Sequence, residues 1–346
     1  MIFLKILLTP FSMVYWMITS FRNICYDQGW FKSYGLPVAV ICVGNLKAGG
    51  TGKTPFTQFL LDHYSMLYKT AVLSRGYGRL TKGFVLANDT SASETIGDEP
   101  LQIYQHSHGR YTVAVCEDRV EGVKQLLHLI PDLALVILDD GFQHRRIKRD
   151  VNILLTEKKD PFWKDHILPS GRLRESRSGA KRADLIIITK SNGSAPEISP
   201  ESISSYIGKN IPVVSTGIEY KTLQNVHGSI VLDKKTGIIL VTGIGNPLPL
   251  IEYLKMNANM LEHIVFKDHH AYSNLDIETI EKLRASHPNS IVVTTEKDWV
   301  KLVPLVKDIE EAGLWYYLPI DLKMYTEKNV LFSEIDKGIK QKVRSL

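Results

Sequence analysis

The sequence predicts an α/β protein with a large, mostly parallel sheet and a second, smaller α/β domain. Three observations predict it. From Pro37 onward, short runs of Val, Ile and Leu alternate with helix-like segments, the pattern of parallel strands covered on both faces. The first of these runs passes through a glycine-rich turn into a helix, "VGNLKAGGTGKTPF". The alternation then halts at a polar, turn-rich stretch, "YKTLQNVHGSIVLDKKTG", and resumes near Gly237.

Residues 1–21, "MIFLKILLTPFSMVYWMITSF", form an element of their own. No small-residue cleavage site follows the apolar run, as a signal peptide would require. Lys5, Thr9, Pro10 and Ser12 interrupt the roughly 20 apolar residues that a spanning helix needs. On a helix, Lys5, Thr9, Ser12, Thr19 and Ser20 share an arc of roughly 100°, and the rest of the circumference is greasy. Such a helix suits a membrane interface, the alternative being a core helix of the first domain. Residues 22–216 then read as the main domain, 217–236 as an extended linker, and 237–346 as the smaller domain. The main domain carries strand-like runs "PVAVICVGN", "KTAVLS", "YTVAVCE", "LALVILDDG", "VNILLTE", "ADLIIITKS" and "IPVVSTGIE".

Composition narrows the function classes. With 44% hydrophobic and 23% charged residues, the chain has the make-up of a globular protein with a sizeable core. Cys25, Cys42 and Cys116 have no paired spacing, which argues against both a disulfide framework and a zinc site. A formal charge of +5 suits an anionic partner without calling for nucleic acid.

The glycine-rich turn has the context of a phosphate loop, strand before and helix after, which makes the main domain P-loop NTPase-like. Lys47 stands where the leading glycine of G-x-x-x-x-G-K-[ST] would be, but the "GGTGKT" core is whole. Lys47, Ala48, Gly49, Gly50, Thr51, Gly52, Lys53 and Thr54 are therefore the expected nucleotide contacts. Backbone N–H groups would converge on phosphate, Lys53 would reach the β/γ-phosphates, and Thr54 would ligate Mg²⁺. Pro55 fits the first helical turn, where its missing N–H costs nothing. Asp139 and Asp140 end the "LALVILDD" strand, where a carboxylate can hold the metal opposite that hydroxyl. Taken alone, Asp98 of "TIGDEP" is an N-cap or a base, and Glu99 complements the helix dipole. Arg172, Arg174, Arg177, Lys181 and Arg182 form a basic loop suited to phosphate. Arg75, Arg79 and Arg119 are further anion-binding candidates, and the 145–149 turn is basic.

In order along the chain, "GGTGKTP", "SRGYG", "GDEP", "DDGFQH", "LPSGRLRE", "FKDHHAY" and "TEKD" resemble the tetraacyldisaccharide 4'-kinase family, the lipid A kinases of Gram-negative bacteria. The resemblance spans Gly44 to Asp298; Ser176 departs from it, where proline usually follows "LRE". It implies ATP and Mg²⁺ as cofactors and an acylated disaccharide phospholipid as substrate. It also implies a place on the cytoplasmic face of the inner membrane, with the amino-terminal helix at the membrane surface, and calls for no protein partner. Asp98 then looks like the catalytic base, assisted by His269, with Glu99 close to the metal. Gln143 and Arg174 join the nucleotide contacts, and Lys53, Asp139 and Asp140 count among the catalytic groups.

Two other readings are weighed. A membrane-docked P-loop switch or partitioning ATPase would not need a histidine-bearing second domain facing the loop. A metallochaperone NTPase would need a Cys- or His-rich delivery motif, which the sequence lacks. "TEKDW" and "ITKSN" do not give the guanine-reading spacing. His270 is expected to be local structure, and removal of residues 1–20 is expected to leave the nucleotide site intact.

Overall fold

A computed structural model of the chain describes residues 2–193, 203, 207–208 and 210–343. The amino-terminal element is a single helix, α1 (Ile2–Asp27), longer than the segment 1–21 marked by composition; Met1 lies outside the described residues. Its polar stripe turns inward. Ser12 and Thr19 are buried, the Ser12 hydroxyl donates to the Ile167 carbonyl at 3.1 Å, and the Tyr15 hydroxyl donates to that of Arg174 at 3.1 Å. Lys5 and Thr9, nearer the free end, are exposed. Phe11, Met13, Val14, Met17, Ile18 and Phe21 also face out, the reverse of an ordinary surface helix. Among the described residues, no helix is long and apolar enough to cross a membrane.

The large sheet is centred on β1 (Ala39–Asn45), all of whose residues are buried. In parallel with it run β2 (Thr70–Ser74), β4 (Thr112–Val115), β5 (Leu135–Leu138), β6 (Val151–Glu157), β7 (Leu185–Thr189) and β8 (Val213–Tyr220). The two-residue β3 (Val85–Leu86) closes one edge antiparallel to β4. Alternation along β1 explains why its run is continuously apolar. Ala39, Ile41 and Val43 enter one core with Phe56 and Leu60 of α2 (Lys53–Tyr64). Val38 and Val40, just before and within the strand, enter the opposite core with Val120 and Val123 of α5 (Arg119–Leu129). Two short helices lie between β3 and β4, α3 (Ser93–Ile96) and α4 (Asp98–Ser107).

The stretch expected as a linker is structured. Its first residues complete β8, and β9 (Leu223–Asn225) and β10 (Gly228–Ile230) form a hairpin on the edge of a second sheet. That sheet continues with β11 (Gly237–Thr242), β12 (Asn259–Val265), β13 (Ser290–Thr295) and β14 (Trp315–Leu318), in the order β10–β9–β14–β13–β11–β12. Helices α6 (Leu248–Asn257), α7 (Asn274–Ala285) and α8 (Glu296–Val306) connect its parallel strands.

The carboxyl-terminal boundary also differs from the expectation that 237–346 forms one unit. Strand β15 (Ile320–Met324) leaves the second sheet and pairs antiparallel with β8. Helix α9 (Lys328–Val343) then packs Leu331, Ile335 and Ile339 into the core of the large sheet. The reason is physical: β8 would otherwise be an open edge, and the i, i+4, i+8 spacing of the three apolar residues makes a stripe that must be covered. The second sheet is therefore an insertion between β8 and β15.

Candidate active site

The phosphate loop leaves the carboxyl end of β1, the position at which open α/β sheets bind ligands. Gly44 lets the strand end pass against the turn after β5; a Cβ there would lie 2.6 Å from the Phe142 Cβ and 2.9 Å from its backbone nitrogen. Gly49 and Gly52 have φ of 113° and 79°, backbone that side chains rarely tolerate. Gly52 caps α2, so the N–H groups of Lys53 and Thr54 emerge at the positive end of that helix. The loop is braced from behind: Asn45 Nδ2 donates to the Thr51 hydroxyl at 2.7 Å, the Thr189 hydroxyl to the Thr51 carbonyl at 2.9 Å, and Lys190 Nζ to the Gly50 carbonyl at 2.7 Å.

Two members of the expected loop contacts are committed elsewhere. Lys47 is buried, and its Nζ pairs with Asp160 Oδ1 at 2.5 Å and Asp165 Oδ2 at 3.0 Å. The Ala48 N–H donates to the Arg172 carbonyl at 2.7 Å. These bonds tie the loop's first half to the 160–174 segment.

The acidic pair follows β5. Asp139 is fully buried; Oδ1 accepts from the Thr57 hydroxyl at 3.0 Å, and Oδ2 has no hydrogen-bond partner. Burial, with the Glu99 and Asp140 carboxylates adding, pushes its pKa up to about 7. Burial would raise Asp140 as well, but Lys53 and Arg174 outweigh it and hold that carboxyl below its ordinary range. Lys53 Nζ is 3.7 Å from Asp140 Oδ1, and Arg174 Nη1 reaches both Asp140 oxygens at 3.0 and 2.8 Å and Gln143 Oε1 at 3.4 Å. Gln143 donates to the Asn45 carbonyl at 2.8 Å, which locks this turn onto the phosphate loop. Asp140 has φ of 49°, a left-handed conformation that sets the pair's direction.

Asp98 begins α4, followed by Glu99, whose carboxylate acts on Asp139. The cap of α4 is Gly97 at φ 92°, where a Cβ would lie 2.9 Å from the Tyr77 carbonyl oxygen. Asp98 is therefore the first residue of the helix rather than its cap. Its Oδ2 accepts a hydrogen bond from His269 Nδ1 at 3.0 Å, contributed by the loop after β12. Burial would raise the Asp98 pKa, but the His269 hydrogen bond and the Lys301 charge lower it below the carboxylate norm. Lys297 Nζ sits 3.3 Å from His269 Nε2. An ammonium can only donate, so this contact makes Nε2 an acceptor and leaves the ring proton on Nδ1, facing Asp98. The Tyr77 ring meets His269 edge-on at 5.7 Å. His270 is local structure, paired with Asp276 at 3.2 Å and stacked on Phe266.

Of the basic candidates, Arg174 is in the site. Arg119 is buried behind it, donating to the Cys116 and Asp139 carbonyls at 2.5 and 3.3 Å. Arg79 pairs with Glu117, Arg172 with Asp160, Arg182 with Glu175, and Arg177 with the Asp165 carbonyl. Asn45, Lys297 and Lys301 were not singled out by sequence reasoning. "TEKD" contains Lys297, and its Thr295 cap opens α8, which carries Lys301 about a turn further on.

The family model of tetraacyldisaccharide-1-P 4'-kinase matches residues 4–340. A tetraacyldisaccharide 4'-kinase of Cytophaga hutchinsonii is 53% identical over 347 residues, spanning 100% of this chain and 99% of the relative. One from Flavobacterium psychrophilum is 40% identical and spans 92% of each. Among solved structures, a crystal structure of LpxK from Aquifex aeolicus in complex with ATP matches with a TM-score of 0.78 at 31% identity, covering 97% of this chain and 99% of that chain.

Proposed function

The chain belongs to the tetraacyldisaccharide 4'-kinase family, and from that premise we propose how its residues divide the work. The enzyme phosphorylates the 4'-position of a tetraacyl disaccharide 1-phosphate at the expense of ATP, a step of lipid A biosynthesis. The observation that carries the residue assignment is the Asp98–His269 hydrogen bond, set beside the Glu99 and Asp139 carboxylates.

The 4'-hydroxyl oxygen attacks the γ-phosphorus, the bond from that phosphorus to the β–γ bridging oxygen breaks, and ADP departs. Asp98, ionised through His269 and Lys301, takes the hydroxyl proton. His269 holds the carboxylate through its Nδ1–H. Lys53, Arg174 and the N-terminus of α2 face the charge that spreads over the phosphate oxygens. The residues 49–52 shape the cradle, and Gln143 keeps the Asp140 turn in register with it.

Mg²⁺ fits the donors present. Asp139 Oδ2 is buried without a partner, and burial, with the Glu99 and Asp140 charges adding, raises Asp139 well above an ordinary carboxyl, a cost that a divalent cation relieves. Asp139, Thr54 and Glu99 would hold it. When bound, the ion neutralises charge shared by the β- and γ-phosphates.

The outward apolar face of α1 supports a membrane-surface setting on the cytoplasmic face of the inner membrane, where both ATP and the lipid are met. A four-chain lipid resists extraction at about 0.8 kcal/mol per CH₂ exposed, so the enzyme goes to the substrate. The test is transfer of labelled phosphate from ATP to tetraacyl disaccharide 1-phosphate in detergent. A folded protein that hydrolyses ATP without forming the 4'-phosphate would overturn this reading.

A further inference from the structure

We propose that Lys301 is a positioning residue for the transfer: its ammonium couples Asp98, on α4 of the large sheet, to Asp298, inside the inserted lobe. It thereby fixes which oxygen of Asp98 meets the acceptor hydroxyl. The proposal rests on the reading of Asp98 as the base.

Lys301 is 6% exposed at the side chain, with Nζ 3.4 Å from Asp98 Oδ2 and 3.6 Å from Asp298 Oδ1. It donates to the His270 carbonyl at 2.9 Å and lies 5.4 Å from the centre of the Tyr272 ring. A buried ammonium is costly unless it is paired, and here a carboxylate stands on each side. Asp298 is fully buried. Its Oδ2 accepts the Gly243 N–H and the Thr295 hydroxyl, both at 2.8 Å, while Oδ1 has no hydrogen bond and is turned to Lys301. Asp298 is thereby fixed to two strand ends of the second sheet, and Lys301 is fixed to Asp298.

Two consequences follow for Asp98. Both His269 and Lys301 engage Oδ2, so Oδ1 is left to receive the proton. When Asp98 is neutralised by that proton, Lys301 retains Asp298 as its counter-charge, and no unpaired charge is left in the buried site. The groups facing Asp98 are His269 and Lys301, with Glu99 on its own helix; behind them stand Asp298, Tyr272, Lys297 and Asp268.

The test is steady-state kinetics of Lys301→Met in the full-length enzyme, with Asp98→Asn as a parallel control. Lys301→Met is expected to lower kcat by on the order of a hundredfold with the KM for ATP within about twofold. Methylammonium should restore part of the activity of Lys301→Ala, and sodium should not. Asp298→Asn, the second variant, should also lower kcat with the KM for ATP held, since the ammonium is then no longer tied to the inserted lobe. An unchanged kcat in both Lys301→Met and Asp298→Asn, or no amine rescue of Lys301→Ala, would overturn the proposal. Should Asp98→Asn keep full activity, the base assignment itself fails; an inactive Asp98→Asn beside fully active Lys301→Met defeats Lys301 alone.

Discussion

His269 Nδ1 and Asp98 Oδ2 are 3.0 Å apart although 171 positions separate them in the chain. The bond joins the inserted lobe to the helix that follows Gly97, so the proposed base is complete only when both sheets are in place. Asp98→Asn is expected to lower kcat by roughly 10²–10⁴-fold, the usual worth of a positioned base, and to leave the KM for ATP nearly unchanged. If ATP affinity collapses instead, Asp98 serves the nucleotide or the fold.

Lys53→Ala is expected to abolish measurable turnover in a protein with an unchanged melting temperature. Among the described residues the Lys53 ammonium has one ion pair, with Asp140 at 3.7 Å. In the proposed reaction its charge acts on the transferring phosphate, where one such group is worth on the order of 10²–10³ or more in kcat. A folded variant with substantial turnover would remove the loop assignment.

Nucleotide binding should release protons near neutrality. Burial, with the Glu99 and Asp140 charges adding, raises the Asp139 pKa to about 7, so without a cation it binds a proton far more readily than an ordinary carboxyl. A cation favours the ionised form, so Mg–ATP binding expels the proton, and affinity rises as pH climbs through 7 before levelling off. Calorimetry in buffers of differing ionisation heat reads the release directly. Asp139→Asn should show none; identical release from that variant would assign the proton to another group.

Replacing Phe11, Ile18 and Phe21 by Gln should free the protein from floating vesicles and leave ATP titration unchanged, since all three are exposed. Removal of residues 1–20 is a poorer experiment than the sequence suggests. Ser12 and Tyr15 hold the 167–174 segment, which carries Arg174 into the site. Truncation should therefore weaken nucleotide binding as well. Continued flotation of the triple variant would point to another docking surface.

What could be read from the sequence was local. The glycine-rich loop, the acidic pair after β5 and "GDEP" each lie within a few residues, and their chemistry depends on adjacent spacing. Motif order supplied His269, whose geometry no spacing could give. The role of Lys47 was hidden because its partners, Asp160 and Asp165, lie more than a hundred positions away. The same distance effect concealed β15 and α9: a short alternating strand and an apolar stripe signal their own type but not the edge or groove that receives them. Lys301 looked like one more basic residue on a helix, since burial between two carboxylates is a property of the assembled lobes.

The return of β15 and α9 to the large sheet sets an order of events at the ribosome. Until the last residues emerge, β8 is a bare edge and the core beside β1 and β6 lacks Leu331, Ile335 and Ile339. The phosphate loop grows from that same β1, so the nucleotide cradle is among the first segments made and among the last to be seated. A transcript cut short anywhere in the insertion yields a product whose early motif is intact in sequence but whose supporting wall was never delivered, a natural substrate for quality control.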